Sequence, residues 1–344
     1  MKVQHWLSPL LLLPIACGGA PPPEPVEPEP VTYAPPEPPE PPPPPEPTEE
    51  EKAQQAAAEK LAKEFEVLDQ EIAAEAERWT DELRAEATKL ANANYINAAT
   101  GIAQIMKGNH RTPGHADRDV YRHPKETLDF FGIKPNSVVL ELSPGAGWYT
   151  ELLAPFLAKK GKLAVTVGDA TRPRTERGTL YAQRTDAFLK KSPELFGKVE
   201  TILVDGKAPS LPQEGTLDFV LTFRSMHGWH NDKLMGAWLG EIHKALKKGG
   251  VLGVEQHRAK PDANPDESAK KGYLPEAFVI AQVEAAGFKL SKKSEVNANP
   301  KDTTDHPEGV WSLPPTLRSA DPAEKEKYRE IGESDRMTLR FVKQ

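Results

Sequence analysis

The chain has one cysteine, Cys17, in 344 residues, which excludes an intramolecular disulfide framework and a cysteine-based zinc site. It has no basic surplus. The formal net charge is -7, yet Pro21 to Glu51 alone holds nine glutamates and no lysine or arginine, so everything else sums to +2. A near-neutral body argues against a nucleic-acid binder that works by neutralising phosphates. Long apolar runs are also missing: Leu7 to Ala16 (LSPLLLLPIA) is too short to span a bilayer stably.

What is there begins with a leader. Lys2 supplies a short positive region, and Leu7 to Ala16 has the length of a signal-peptide apolar core. Ile15-Ala16-Cys17-Gly18 then resembles a bacterial lipobox, in which the cysteine becomes lipidated; Pro14 departs from the Leu usual there. Residues 1–17 are therefore read as a signal peptide ending at a lipidation site, Cys17. The expected location is the cell envelope, lipid-anchored and facing the periplasm or the surface, with plain secretion as the alternative. Proline follows in excess: sixteen of the chain's 35 fall within Pro21 to Thr48. Residues 18–51 read as a disordered Pro/Glu-rich tether, extended by polyproline II and like charge, with a reach of roughly 90 Å at about 3.1 Å per residue.

From Lys52 the composition shifts to Ala, Glu, Lys and Leu. Leu61, Phe65, Leu68, Ile72, Ala76, Trp79, Leu83, Ala87 and Leu90 cover 29 residues in eight steps, a mean of about 3.6, the α-helical period. Residues 52–110 thus read as one or two long amphipathic helices. They either dock on the body or pair with another copy as a homo-oligomer.

Residues 111–344 alternate strand and helix patterns. SVVLEL (137–142), KLAVTV (162–167), VETILV (199–204), LDFVLTF (217–223) and Val251–Glu255 read as buried strands, followed by 288–295 and 336–342. Helices are expected at 124–131, 148–158, 232–246 and 274–286, the third closed by Lys247-Lys248-Gly249-Gly250. Continuous apolar strands separated by helices imply an α/β fold with a mostly parallel sheet covered on both faces. Ligands on such sheets bind beyond the carboxyl ends of the strands.

The most informative segment is Glu141-Leu-Ser-Pro-Gly145-Ala-Gly147-Trp-Tyr, which follows the first strand and opens a helix. Two glycines let the backbone approach a ligand, and the helix start offers N–H groups to a carboxylate or phosphate. A nicotinamide turn would want glycine at position 150, where this chain has Thr150. The acidic residue, the glycine pair and the later Leu-Lys-Lys-Gly-Gly-Val-Leu run instead resemble a class I S-adenosylmethionine-dependent methyltransferase. Asp117-Arg-Asp-Val-Tyr121-Arg-His-Pro124, Phe223-Arg224-Ser-Met-His227-Gly-Trp229 and Glu255-Gln-His257-Arg258-Ala narrow the likeness to one bacterial group of predicted methyltransferases. So do Gly272-Tyr273-Leu-Pro-Glu-Ala-Phe, the run Asn297 to Pro307, and Gly332 to Phe341. Gly228 departs from that group, which more often carries Asn there.

The resemblance implies a Rossmann-like fold with a seven-stranded sheet, S-adenosylmethionine as cofactor, and methyl transfer to a small-molecule acceptor. It implies cofactor contacts at Glu141, Gly145, Gly147, Asp169 and Asp205. The sulfonium is already activated, so the protein's tasks are positioning and removing a proton. His227 is the expected general base, with Glu255 and His257 as alternatives. Tyr121, Arg224, Trp229 and Arg258 are the substrate-side candidates; the two arginines either bind an anionic acceptor or brace neighbouring carboxylates. His227 and His230 have helical spacing for a metal, but with no cysteine and no third ligand in view none is expected. An exported leader on a chain using a cytoplasmic cofactor leaves a second class open: a non-catalytic, envelope-tethered binding protein reusing the fold.

Overall fold

The computed structural model describes residues 48–212, 214–318 and 321–344, with a few isolated positions between 19 and 32. The leader, Cys17 and most of the Pro/Glu stretch lie outside the described residues. Glu49–Gln344 form one unit.

Three helices open it: α1 (Glu49–Arg78), α2 (Asp81–Asn92) and α3 (Ala98–Ile105). The break after α1 has a local cause. Thr80 turns out of the helix and its hydroxyl accepts the Leu83 N–H, capping α2, whose first turn carries Asp81 and Glu82. Then come α4 (Asp119–Arg122), α5 (Pro124–Phe131), β1 (Val138–Leu142), α6 (Thr150–Leu157), β2 (Lys162–Val167), α7 (Arg177–Lys190) and α8 (Pro193–Phe196). The second half comprises β3 (Glu200–Leu203), β4 (Leu217–Phe223), α9 (Met226–Asn231), α10 (Met235–Ala245), β5 (Leu246–His257) and α11 (Pro265–Lys270). It closes with α12 (Glu276–Ala285), β6 (Phe288–Ser294), α13 (Pro322–Ile331) and β7 (Arg336–Lys343).

The seven strands lie in the order β3-β2-β1-β4-β5-β7-β6, and β7 runs antiparallel to both neighbours. Side chains alternate between two cores, as a period of two requires. Val139, Val165, Phe219 and Leu221 face α2, α3, α5 and α6. Leu140, Leu142, Val220, Leu252 and Val254 face α10 and α12, with Met337, Leu339 and Phe341 of β7 on the same side. Because β1 is flanked by β2 and β4, the connections after β1 and β4 leave to opposite faces, and a crevice opens between them.

One sequence expectation is revised. Lys247–Gly250 is not a helix cap: α10 ends at Ala245, and β5 already pairs Leu246 with Leu217. The register shift between Leu217 and Phe219 absorbs the extra residues, with Gly249 at φ 76°. The apolar stripe of α1 lies on α7: Leu61, Phe65 and Leu68 form a small core with Leu180. Ion pairs Glu64–Arg177 and Asp69–Arg174, each 2.7 Å, flank it. Both pairs are largely exposed, so the apolar contact supplies most of the docking energy.

Candidate active site

The turn after β1 is built on left-handed backbone. Ser143, Gly145 and Gly147 have φ of 52°, 59° and 76°. Ser143 bears that strain as a non-glycine residue, tied down by its N–H donating to Thr166 Oγ1 at 2.8 Å. The two glycines have different jobs. A Cβ on Gly145 would meet nothing within 4 Å, whereas one on Gly147 would lie 2.3 Å from the Phe188 ring of α7. Gly145 is therefore the position that leaves its face open to a ligand, and Gly147 is needed for packing as well. Beneath the turn, Glu141 is buried and accepts the Thr150 hydroxyl at 2.7 Å. Burial pushes its carboxyl up to about 7.

Beyond β2, Asp169 is exposed, and one of its oxygens accepts the N–H and hydroxyl of Thr171 at 2.8 and 2.6 Å. Those bonds hold its carboxyl below its ordinary value. Beyond β3, Asp205 closes a turn: it accepts the Lys207 N–H at 2.9 Å and bridges to Ala208. Asp169 stands at the carboxyl end of β2, the neighbour of β1, and Asp205 at that of β3, one strand further out.

Across the crevice, β4 and β5 end where β7 begins, with Glu255 paired to Phe223 and Thr338, and His257 to Arg336. Glu255 is fully buried. It accepts Tyr149 Oη at 2.6 Å and Arg224 Nη1 at 3.0 Å, and pairs with Arg336 Nη1 at 3.3 Å. Burial would raise its pKa, but Arg336, Arg224 and Arg122 outweigh that and hold it below its ordinary value. With both oxygens committed to these donors, Glu255 is an anchor and not a free base. Arg224 sits at φ 63°, and its N–H also donates to the Glu255 carbonyl at 2.7 Å.

His227 lies on α9, half-buried, with Trp311 edge-on at 6.0 Å and His257 at 5.9 Å between ring centres. Burial holds its pKa down to about 4. The Gln256 amide oxygen accepts Met226 N–H, and its amide nitrogen faces three acceptors: the Gly272 carbonyl at 3.1 Å, His227 Nδ1 at 3.3 Å and the His257 carbonyl at 3.4 Å. Its two hydrogens serve two of the three, so both carbonyls compete with the ring. His257 Nδ1 instead meets the Ser334 hydroxyl, which can accept from it, leaving Nε2 with a lone pair. Burial, then His227, Arg224, Arg336 and Arg122, hold His257 well below its ordinary pKa.

Three substrate-side candidates move. Trp229 is core, stacked on Trp238 at 5.1 Å, because α9 points it away from the crevice. Arg258 is spent on Asp335, Glu276 and Glu295, which raise its pKa. Tyr121 packs over Gly332, and its carbonyl accepts Arg336 Nη2. Arg118, Arg122, Tyr149, Gln256, Glu333 and Arg336 belong to the site but were not singled out as candidates. Arg118, Arg122, Gln256, Glu333 and Arg336 sat inside the quoted runs 117–124, 255–259 and 332–341 as anonymous charged or polar positions.

With this strand order and the reversed β7, the architecture can be named. The fold is that of the class I methyltransferases. The chain matches no family model. It is 27% identical over 131 residues to the ubiquinone/menaquinone biosynthesis C-methyltransferase UbiE of Hydrogenovibrio crunogenus, covering 38% of this chain and 46% of that protein. The chain thus spans under half the length of the curated relative it matches. A SAM-dependent methyltransferase of Aquifex aeolicus superposes with a TM-score of 0.42 at 18% identity, over 71% of this chain and 97% of that one. The 1,6-didemethyltoxoflavin-N1-methyltransferase of Burkholderia thailandensis, solved with bound 1,6-didemethyltoxoflavin and S-adenosylhomocysteine, gives 0.40 at 15%, over 73% and 92%. Likeness at this level is likeness of fold, and function rests on the site.

Proposed function

We propose that the chain binds S-adenosylmethionine at the Gly145 turn and transfers its methyl group to a small-molecule acceptor seated beyond β4 and β5. The observation that carries this is the open face of Gly145 beside buried Glu141, at the crevice between β1 and β4. The turn's N–H groups would receive the methionine carboxylate, Glu141 the ammonium, Asp169 the ribose diol and Asp205 the adenine amine. The cofactor supplies an activated methyl group on a sulfonium. His257 Nε2 accepts the proton released by an O or N acceptor, and Ser334 orients its ring. His227 Nε2–H donates to the acceptor and positions it, and Trp311 shields that side from water.

Isothermal titration of the full-length chain with S-adenosylmethionine tests the reading. Saturable one-to-one binding is expected, and Asp169→Ala should weaken it measurably. Absence of binding would remove the assignment.

A second reading, an envelope-tethered binding protein with no turnover, is favoured by two histidines held far below neutral pKa, which makes both weak bases. It predicts cofactor binding without methyl release to any acceptor. The anchor belongs to either reading: lipidated Cys17 would keep the protein on a membrane, and Cys17→Ser should release it or leave the precursor uncleaved. Fractionation checks this; a wild-type chain wholly soluble in the cytoplasm contradicts it.

A further inference from the structure

Four guanidinium groups gather where β4 and β5 end and β7 begins, against two carboxylates. Glu333 Oε1 accepts Arg118 Nε at 2.6 Å, while Oε2 accepts Arg122 Nε and Arg336 Nη1, both at 2.9 Å. Glu255 holds Arg224 and Arg336, and its other oxygen is taken by Tyr149. Every carboxylate oxygen is therefore engaged, and two positive charges remain in excess. The neighbouring groups do not remove that excess. Arg111, across the Trp148 ring, is already answered by Asp119 and Glu151, and Glu141 is pushed towards its neutral form.

The arginines have donors to spare. Arg118 and Arg122 spend only Nε on Glu333, so their Nη pairs have no protein acceptor among the described residues. Arg224 uses Nη1 on its side chain and leaves Nη2 and Nε without one. Arg336 Nε is buried with no acceptor. The Arg122 guanidinium lies over Trp148 at 4.8 Å, a flat platform that fixes its plane. Burial and then Arg224 hold the Arg122 pKa down to about 9, so it stays charged at neutral pH with its repulsion unrelieved. Burying like charges without compensation is costly, and a planar guanidinium fork matches a carboxylate or phosphate.

We infer that the methyl acceptor carries an anionic group, a carboxylate or phosphate, received by Arg118, Arg122 and Arg224. This rests on the methyl-transfer reading, because only that reading makes the cleft's second ligand an acceptor. The same arginine charges act on His257, so an anion held there places the rest of its molecule beside the two histidines.

The test is calorimetric titration of the full-length chain with inorganic phosphate at constant ionic strength, with and without saturating S-adenosylhomocysteine. Phosphate should bind in both conditions. Arg118→Gln and Arg224→Gln, both on partly exposed side chains, should each weaken it at least tenfold with S-adenosylhomocysteine affinity unchanged. Arg329→Gln, on α13, should change neither. Thermal melts of each variant identify any loss of fold, and Arg118→Lys, which keeps the charge, should retain part of the affinity. No phosphate binding, or binding indifferent to both glutamine variants, overturns the inference. Competition between phosphate and S-adenosylhomocysteine, or loss of the latter's affinity in the variants, also overturns it, since the guanidiniums would then hold the cofactor's carboxylate. If phosphate binds as described but S-adenosylhomocysteine does not bind at all, the methyl-transfer reading falls and the anion site stands.

Discussion

Replacing His257 by alanine is expected to lower turnover by 10²–10⁴-fold while cofactor affinity stays within about twofold, measured by kinetics and by titration. An O or N acceptor loses a proton as it gains a methyl group, and we propose that His257 Nε2 takes it. Ser334 can accept from His257 Nδ1 and leave that lone pair free, whereas the Gln256 amide nitrogen faces the Nδ1 of His227. His227→Ala should therefore cost no more than about tenfold, the scale of one lost hydrogen bond. Because both rings are already neutral at pH 7, kcat at saturating cofactor should not fall between pH 8 and pH 6. An unchanged kcat in His257→Ala would end its role as proton acceptor. A fall near pH 6.5 would mean that the rings are solvated in the working enzyme.

Glu141→Gln should move stability and binding in opposite directions. The carboxyl's ordinary value of 4.5 rises to about 7 in the folded protein because the group is buried. An acid with a raised folded pKa is least costly while protonated. Its stabilising share is whole below pH 4.5 and is lost as pH climbs to 7, where the folded state must hold a buried carboxylate. The gap corresponds to roughly 3 kcal/mol as an upper bound. Glutamine keeps the acceptor for Thr150 and removes the charge. The variant should melt higher than wild type at pH 8, equal it near pH 4, and bind S-adenosylmethionine at least tenfold more weakly at pH 8. Wild-type cofactor affinity should likewise drop below pH 7 as Glu141 takes up a proton, and the variant should lack that dependence. A variant that is no more stable at pH 8 would show that Glu141 is solvated. Unchanged affinity would show that the ammonium does not reach it.

The order of strands and helices was readable from the chain because the central strands of the body are short apolar runs and several helices are bounded by glycine or proline, as at Pro124 and Gly132. The Glu141–Gly147 turn was readable too, since positive φ demands glycine and leaves a local trace. Helix α7 left none: its few apolar residues, Leu180 and Phe188 among them, are covered from two sides, by α1 and by the core beneath, so no single stripe is needed. The cation cluster was nearly as silent, since only Arg224 and Glu255 stood out in the sequence. Arg118, Arg122, Arg224, Glu255, Glu333 and Arg336 are separated by up to 218 positions, and only the antiparallel insertion of β7 beside β5 brings Glu333 and Arg336 to Glu255. Charge in a sequence is a property of single residues. Whether a charge is solvated, paired or left in excess depends on burial and on partners from distant strands, and that is why the surroundings of His227, Arg258 and Trp229 are visible only in the tertiary structure.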